Sequence, residues 1–303
     1  MFSTISFPSL GISMNPPSTV SVGPLTIHWY GAIIAFGLVL AVLYCSRRSR
    51  EFGLTEDDML DGVLTVTPLA ILCARIYYVA FSWDAYKDNP ISALYIWQGG
   101  IAIYGSVIGA ALGILIFSKW KKVKAAAVLD LVSLGFLIGQ CIGRWGNFMN
   151  REAFGAETES FFRMGLEYAW SGNVIYVHPT FLYESAWNFV GFLILSQLSK
   201  HRKYDGQTAL QYLVWYGAGR AVIEGLRTDS LYIPGTALRV SQLLAAACCV
   251  VGLILLAVFA GKPHDPEKMS GYLLKQKEAA EEQPVSSAEK ETFAQKFNKW
   301  LHS

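Results

Sequence analysis

Apolar residues in this chain come in long runs rather than in alternation. Seven runs, at residues 25–45, 60–81, 96–117, 125–144, 179–198, 208–224 and 240–260, are 17–22 residues long. A helix of that length crosses about 30 Å of hydrocarbon. Segments rich in charge, glycine or proline separate the runs. The pattern predicts an all-α integral membrane protein of seven transmembrane helices over residues 25–261. Residues 1–24 carry Pro8, Pro16, Pro17 and Pro24 and read as a surface segment or a short helix lying at the interface. Residues 147–178 are too hydrophilic to be embedded and form a small head between helices four and five. Residues 262–303 turn to Lys, Glu, Gln and Ala, a charged and partly disordered tail. Within it Phe293, Phe297, Trp300 and Leu301 recur at helical spacing beside lysines. That pattern suits a basic amphipathic helix on the membrane surface, or a solvated helix with no such role.

Charge orients the helices. Basic clusters follow runs one, three and five, with three, four and three Lys/Arg, whereas Lys87 alone follows run two. Positively charged loops stay cytoplasmic, so the N-terminus and the head are predicted outside, and the C-terminal tail inside. Composition agrees: 53% of residues are hydrophobic and 16% charged, against about 25% charged in soluble domains. A net charge of +2, with no basic arm or nucleic-acid motif, argues against a nucleic-acid partner. The five cysteines, Cys45, Cys73, Cys141, Cys248 and Cys249, sit in or at the ends of apolar runs without metal spacing and read as small buried hydrophobes. Asp57, Asp58 and Asp61 lack the spacing of a metal-dependent phosphatidyl transferase, so neither metal nor cofactor is expected. The first residues have no basic n-region before an apolar core, which predicts no removable signal peptide.

Chemistry collects where charge enters these runs. Gln140, Arg144, Asn147 and Arg151 are spaced to share one helix face if the fourth helix continues past residue 144. A guanidinium at membrane depth needs a partner and marks a candidate site, although an arginine near a helix end can also snorkel to the interface. In the sixth run Tyr216, Arg220, Glu224 and Arg227 form a second strip, within which Arg220 and Glu224 can pair. Two arginines against one glutamate leave a surplus cation, as does the Arg144 face, and the guanidinium fork suits phosphate oxygens. Glu184 in His178-Pro179-Thr180-Phe181-Leu182-Tyr183-Glu184 is either a helix-start charge or part of the site. Arg75 calls for a pairing partner among Asp61, Asp130 and Glu184. Tyr104 places a hydroxyl among small residues, and His28 and Trp29 read as interface-belt residues.

Three of these stretches resemble one family. Gly143-Arg144-Trp145-Gly146-Asn147-Phe148-Met149-Asn150-Arg151-Glu152-Ala153-Phe154-Gly155 is similar to the signature of bacterial prolipoprotein diacylglyceryl transferases. The His178–Glu184 stretch resembles their HPxxLYE element, and Tyr216-Gly217 through Arg220, Glu224 and Arg227 their YGxxRxxxExxR element. Trp29-Tyr30-Gly31 and Gln98-Gly99-Gly100 fall in the matching order, so the resemblance covers about residues 20–260. It implies a multi-pass enzyme of the bacterial cell membrane. The reaction would be transfer of the diacylglyceryl group of phosphatidylglycerol to the lipobox cysteine of a prolipoprotein, releasing glycerol 1-phosphate. It further implies Arg144, Arg220, Tyr104 and Glu152 as catalytic residues. Tyr30, Arg144, Asn147, Gly155, Arg220, Glu224 and Arg227 would hold phosphatidylglycerol. Many family members have histidine where this chain has Tyr104. A phenol with a reference pKa of about 10 is a poor base, so Tyr104 is assigned to hydrogen bonding, leaving Glu152 or the lipid phosphate to take the thiol proton. Two other readings use the same residues, an anion transporter with an arginine ring and a scaffold with internally paired charges. Covalent product, solute flux or loss of stability alone tells the three apart.

Overall fold

The computed structural model describes residues 2–23, 25–96 and 99–282. Gln98 and the amphipathic pattern at 293–301 lie outside them. Among the described residues seven helices of 18 residues or more occur: α1 (Trp29–Arg48), α2 (Glu56–Phe81), α3 (Ile103–Lys121), α4 (Ala125–Asn150), α5 (Thr180–Leu198), α6 (Gln207–Glu224) and α7 (Val240–Ala260). A shorter α8 (Ser270–Glu282) follows. By length and composition α1 to α4 and α7 can each cross a membrane. The chain is a mostly helical, multi-pass membrane protein. All five cysteines are free thiols, Cys45 buried and the others half-buried.

Small residues set the helix packing. Gly105, Gly109 and Gly113 form one stripe on α3, and a Cβ on any of them would lie 2.5–3.0 Å from α2 atoms. Without side chains there, the two backbones approach closely, the usual basis of helix association in lipid. The fourth helix is the hub, packed against α1, α3, α5 and α6. Buried Asp130 on α4 accepts from the backbone N–H groups of Gly206 (2.7 Å) and Ala209 (2.8 Å). It thereby caps the positive end of α6 and is not the partner of Arg75. That guanidinium instead donates to four backbone carbonyls in the connection between α2 and α3, Ser92, Ala93, Gly99 and Gly100, at 2.7–3.1 Å.

Helices α5 and α6 carry the same motif, Trp187-x-x-x-Gly191 and Trp215-x-x-x-Gly219. The two indoles stack with centroids 4.5 Å apart. Trp187 Nε1 donates to the Trp215 carbonyl (2.9 Å) and Trp215 Nε1 to the Trp187 carbonyl (3.0 Å). Each ring lies over the other helix's glycine: a Cβ on Gly219 would stand 2.1 Å from Trp187 Nε1, and one on Gly191 2.2 Å from Trp215 Nε1. Gly219→Ala is therefore expected to destabilise the protein by about 1–3 kcal/mol through overpacking, read as a lower thermal midpoint in detergent. Trp187→Phe in the same chain should recover part of that loss.

Short strands accompany the helices that the sequence predicts. The chain makes strands β1 (Phe2–Phe7), β2 (Ile12–Met14), β3 (Thr19–Val22), β4 (Leu25–His28), β5 (Met164–Tyr168) and β6 (Val174–Val177). Strands β2, β1, β5 and β6 form an antiparallel sheet in that order, while β3 and β4 form a hairpin leading into α1. Within residues 1–24, expected as a surface segment or interfacial helix, β1 and β2 pair into the sheet of the head, and α1 begins at Trp29 rather than residue 25. Ile5, Met164, Leu166 and Val177 from the sheet pack with Phe148 of α4 and Phe181 of α5. That second core seats the head on the ends of α4 and α5.

Candidate functional site

The fourth helix continues past residue 144, as the shared face requires, but only to Asn150. Gln140, Arg144 and Asn147 line a cavity of about 450 Å³ bounded by α1, α2 and α4. Arg151 does not join them. Its backbone is left-handed (φ 55°), and its guanidinium donates to Ser3 O (3.0 Å), Met149 O (3.1 Å), Asn15 Oδ1 (2.6 Å) and Pro16 O (2.7 Å). It ties the end of α4 to the N-terminal segment. Tyr30 also lines the cavity. Gly146 makes room for it, since a Cβ there would stand 2.8 Å from the phenol ring. Farther down, the walls are apolar, with Ile34, Leu38, Val42, Val132 and Phe136. The space therefore has a polar end beside Arg144 and a long apolar shaft.

Glu184, in the second turn of α5 and 3% exposed, is the centre of the charged group. Arg144 Nη2 lies 2.5 Å from its Oε2, Arg220 Nη1 2.6 Å from Oε1, and Arg227 Nη1 3.4 Å from Oε1. Arg220 also pairs with Glu224 one helical turn away. The fork of Arg227 holds Asp229, Nε to Oδ1 at 2.9 Å and Nη2 to Oδ2 at 2.7 Å. The expected surplus cation is thus corrected: three guanidiniums face three carboxylates, Glu184, Glu224 and Asp229. Compensation is uneven, however. Arg220 and Arg227 each have an acid of their own besides Glu184, whereas Arg144 shares Glu184 three ways and has no other acid among the described residues. Its second contact is neutral, Nη1 to Asn147 Oδ1 at 3.1 Å. Arg144 is the least neutralised of the three, and it alone of them lines the cavity.

Asn147 relays this arrangement to Glu152. Its Nδ2 donates to Glu152 Oε1 at 3.0 Å, and Asn150 Nδ2 does so at 3.4 Å. Glu152 is exposed and, among the described residues, is held by these amides and pairs with no arginine. Gly155 acts through the backbone. Its N–H donates to His178 O (2.9 Å), it bridges to Arg227, and Ala156 N–H donates to Leu226 O (2.8 Å). A Cβ at Gly155 would stand 2.7 Å from that of His178, so glycine lets the loop after α4 thread between α5 and the end of α6. Tyr104 stands apart: its ring lies 6.4 Å from that of Tyr77, and no hydrogen bond of the arginine group reaches it among the described residues. Gln140 donates to the Tyr212 hydroxyl at 2.9 Å.

The Arg227 fork holds the Asp229 carboxyl below the usual carboxylate range, hydrogen bonding being the largest cause. A depressed folded value means the stabilisation is fully present above the unfolded pKa, near 4, and is lost as pH falls through the folded value. The thermal midpoint of Asp229→Asn is expected to trail wild type by a constant gap from about pH 5 to 8, closing below about pH 4.

Comparison with known proteins finds relatives of the chain. The family model described as "Prolipoprotein diacylglyceryl transferase" matches residues 17–258. A phosphatidylglycerol--prolipoprotein diacylglyceryl transferase of Lysinibacillus sphaericus is 44% identical over 245 residues, covering 78% of this chain and 89% of the relative. One of Streptococcus mutans is 45% identical over 250 residues, covering 80% and 94%. One of Limosilactobacillus reuteri is 43% identical over 251 residues, covering 80% and 90%.

Proposed function

Because the chain belongs to the prolipoprotein diacylglyceryl transferase family, we propose that the Arg144–Glu184–Arg220 group is the phosphate site of its reaction. The enzyme transfers the diacylglyceryl group of phosphatidylglycerol to the cysteine sulfur of a prolipoprotein. The sulfur attacks the glyceryl carbon next to the phosphate, a thioether forms, the carbon–oxygen bond breaks, and glycerol 1-phosphate leaves with the bonding pair. The observation that carries the site assignment is the uneven pairing of Arg144. It faces the cavity, has one shared acid, and adds positive charge where the departing phosphate becomes more negative.

Arg220, one carboxylate behind, draws Glu184 away from full neutralisation of Arg144. Glu224 and Arg227 fix Arg220 and Glu184 in turn. Tyr30 and Asn147 border the headgroup, and Gly155 shapes its surroundings through the loop it threads. Glu152, free of arginine partners, takes the thiol proton. Tyr104, whose hydroxyl has no hydrogen-bond partner among the described residues, donates to substrate. The acceptor segment is the lipobox of the prolipoprotein, brought to the same cavity as the lipid so that proximity assists the attack.

The same reading places seven helices across the bacterial cell membrane, N-terminus and head outside and tail inside. Basic loops after α1, α3 and α5 support that orientation. Purified protein incubated with phosphatidylglycerol and a lipobox peptide should yield a peptide heavier by one diacylglyceryl group, seen by mass spectrometry. Solute flux through sealed vesicles without a covalent product would favour the transporter reading instead.

A further inference from the structure

A second cavity opens off the first. It has a volume of about 160 Å³, lies between α2, α3 and α4, and shares Met59, Val63, Val132 and Phe136 with the larger one. Its own walls include Val66, Ile114, Phe117 and Leu131. Asp58, at its rim, is engaged with Lys121 (3.1 Å) and Thr55. Phe117 and Leu131 are 2% and 0% exposed, whereas Phe136 at the mouth is 47% exposed, so the space is apolar at its back and open toward the larger cavity. An apolar cavity of this size stays dry, and leaving it empty forfeits packing on every wall. The larger cavity leads straight to it. Along α4 its wall runs from Val132 to Asn147, 15 residues or about 22 Å at 1.5 Å each. One leaflet is about 15 Å thick. The wall is longer than a leaflet is thick, so a chain following it from the Arg144 end runs past Phe136 to Met59, at the mouth of the second cavity.

We propose that the second cavity receives the terminal methylenes of one acyl chain of phosphatidylglycerol, so that Ile114 and Val66 gauge chain length. This rests on the lipid substrate assigned above, and the occupant follows from continuity: the two spaces share four residues, and the polar end of the first holds Arg144. Neither Ile114 nor Val66 touches the charged group, so narrowing the cavity changes preference rather than chemistry.

The test supplies the enzyme with a mixture of short- and long-chain phosphatidylglycerols and reads the acyl composition of the thioether product. Ile114→Phe and Val66→Phe are each expected to lower the long-to-short ratio by about tenfold, the scale of a lost methylene contact in an apolar pocket. An unchanged ratio in both folded variants would overturn the proposal. Independently of turnover, phosphatidylglycerol bearing a diazirine at the acyl terminus should label wild-type protein in nanodiscs on the α3 segment around Ile114. Labelling confined to α1 and α4 would overturn it equally. Absence of thioether product from wild type would instead fault the transferase reading, and the photolabel would still decide the cavity.

Discussion

Glu184→Gln is expected to abolish measurable transfer, by at least about 100-fold in kcat/KM, the scale of losing one preorganised electrostatic contact in a transition state. Two effects oppose each other. Removing the carboxylate frees Arg144 for phosphate, which by itself tightens lipid binding. It also leaves three guanidiniums without the anion that holds them together. At an effective dielectric near 20 and a separation of roughly 6 Å, each like-charged pair repels by about 3 kcal/mol. Removing one partner of a buried ion pair costs about 3–5 kcal/mol. Repulsion wins, and the arginines turn away from the cavity. Glutamine preserves the shape of the side chain, so the loss reports charge. The checks are thioether yield by mass spectrometry and the thermal midpoint in detergent, both of which should fall. Glu184→Asp, with its charge one methylene short, should fall between.

Arg144→Ala is expected to lower transfer by about 100- to 1,000-fold, with little change in stability, because Glu184 keeps Arg220 and Arg227. Arg220→Ala should reduce transfer and stability together, since it strips a cation from both Glu184 and Glu224, each buried. Arg144→Lys supplies the charge without the fork and cannot meet Glu184, Asn147 and phosphate at once, so it should recover only part of the activity. Full transfer by both Arg144→Ala and Arg220→Ala would remove the phosphate-site assignment.

What could be read beforehand followed from the solvent. Lipid demands apolar residues without a break, so runs such as 240–260 coincide with a helix, α7. The run at 96–117 misled at its start, because Gly99 and Gly100 adopt positive φ (86° and 78°) and lend their carbonyls to Arg75, delaying α3 to Ile103. The strands of the head escaped notice because their pairing is remote: Ser6 faces Gly165, and neither segment is apolar enough to announce itself. The arginines stood out because charge is rare in such runs. Their acid did not, since Glu184 at the opening of α5 looks the same in sequence whether it decorates a helix start or gathers three guanidiniums from two other segments. Arg75 marks the converse limit, as backbone carbonyls, which have no letter in a sequence, take four of its hydrogen bonds in place of an acid.

The remote pairing of the head constrains how the protein is made. Ser6 and Gly165 are 159 residues apart (165 − 6), and at about 5–20 residues per second the second arrives roughly 8–30 s after the first. For that interval β1 has only β2 beside it, with its other edge open, while four hydrophobic helices enter the membrane behind it. Biogenesis therefore includes a stage in which this edge strand is a target for stray pairing or proteases, and Arg151, emerging shortly before β5, supplies the first clasp that ends it.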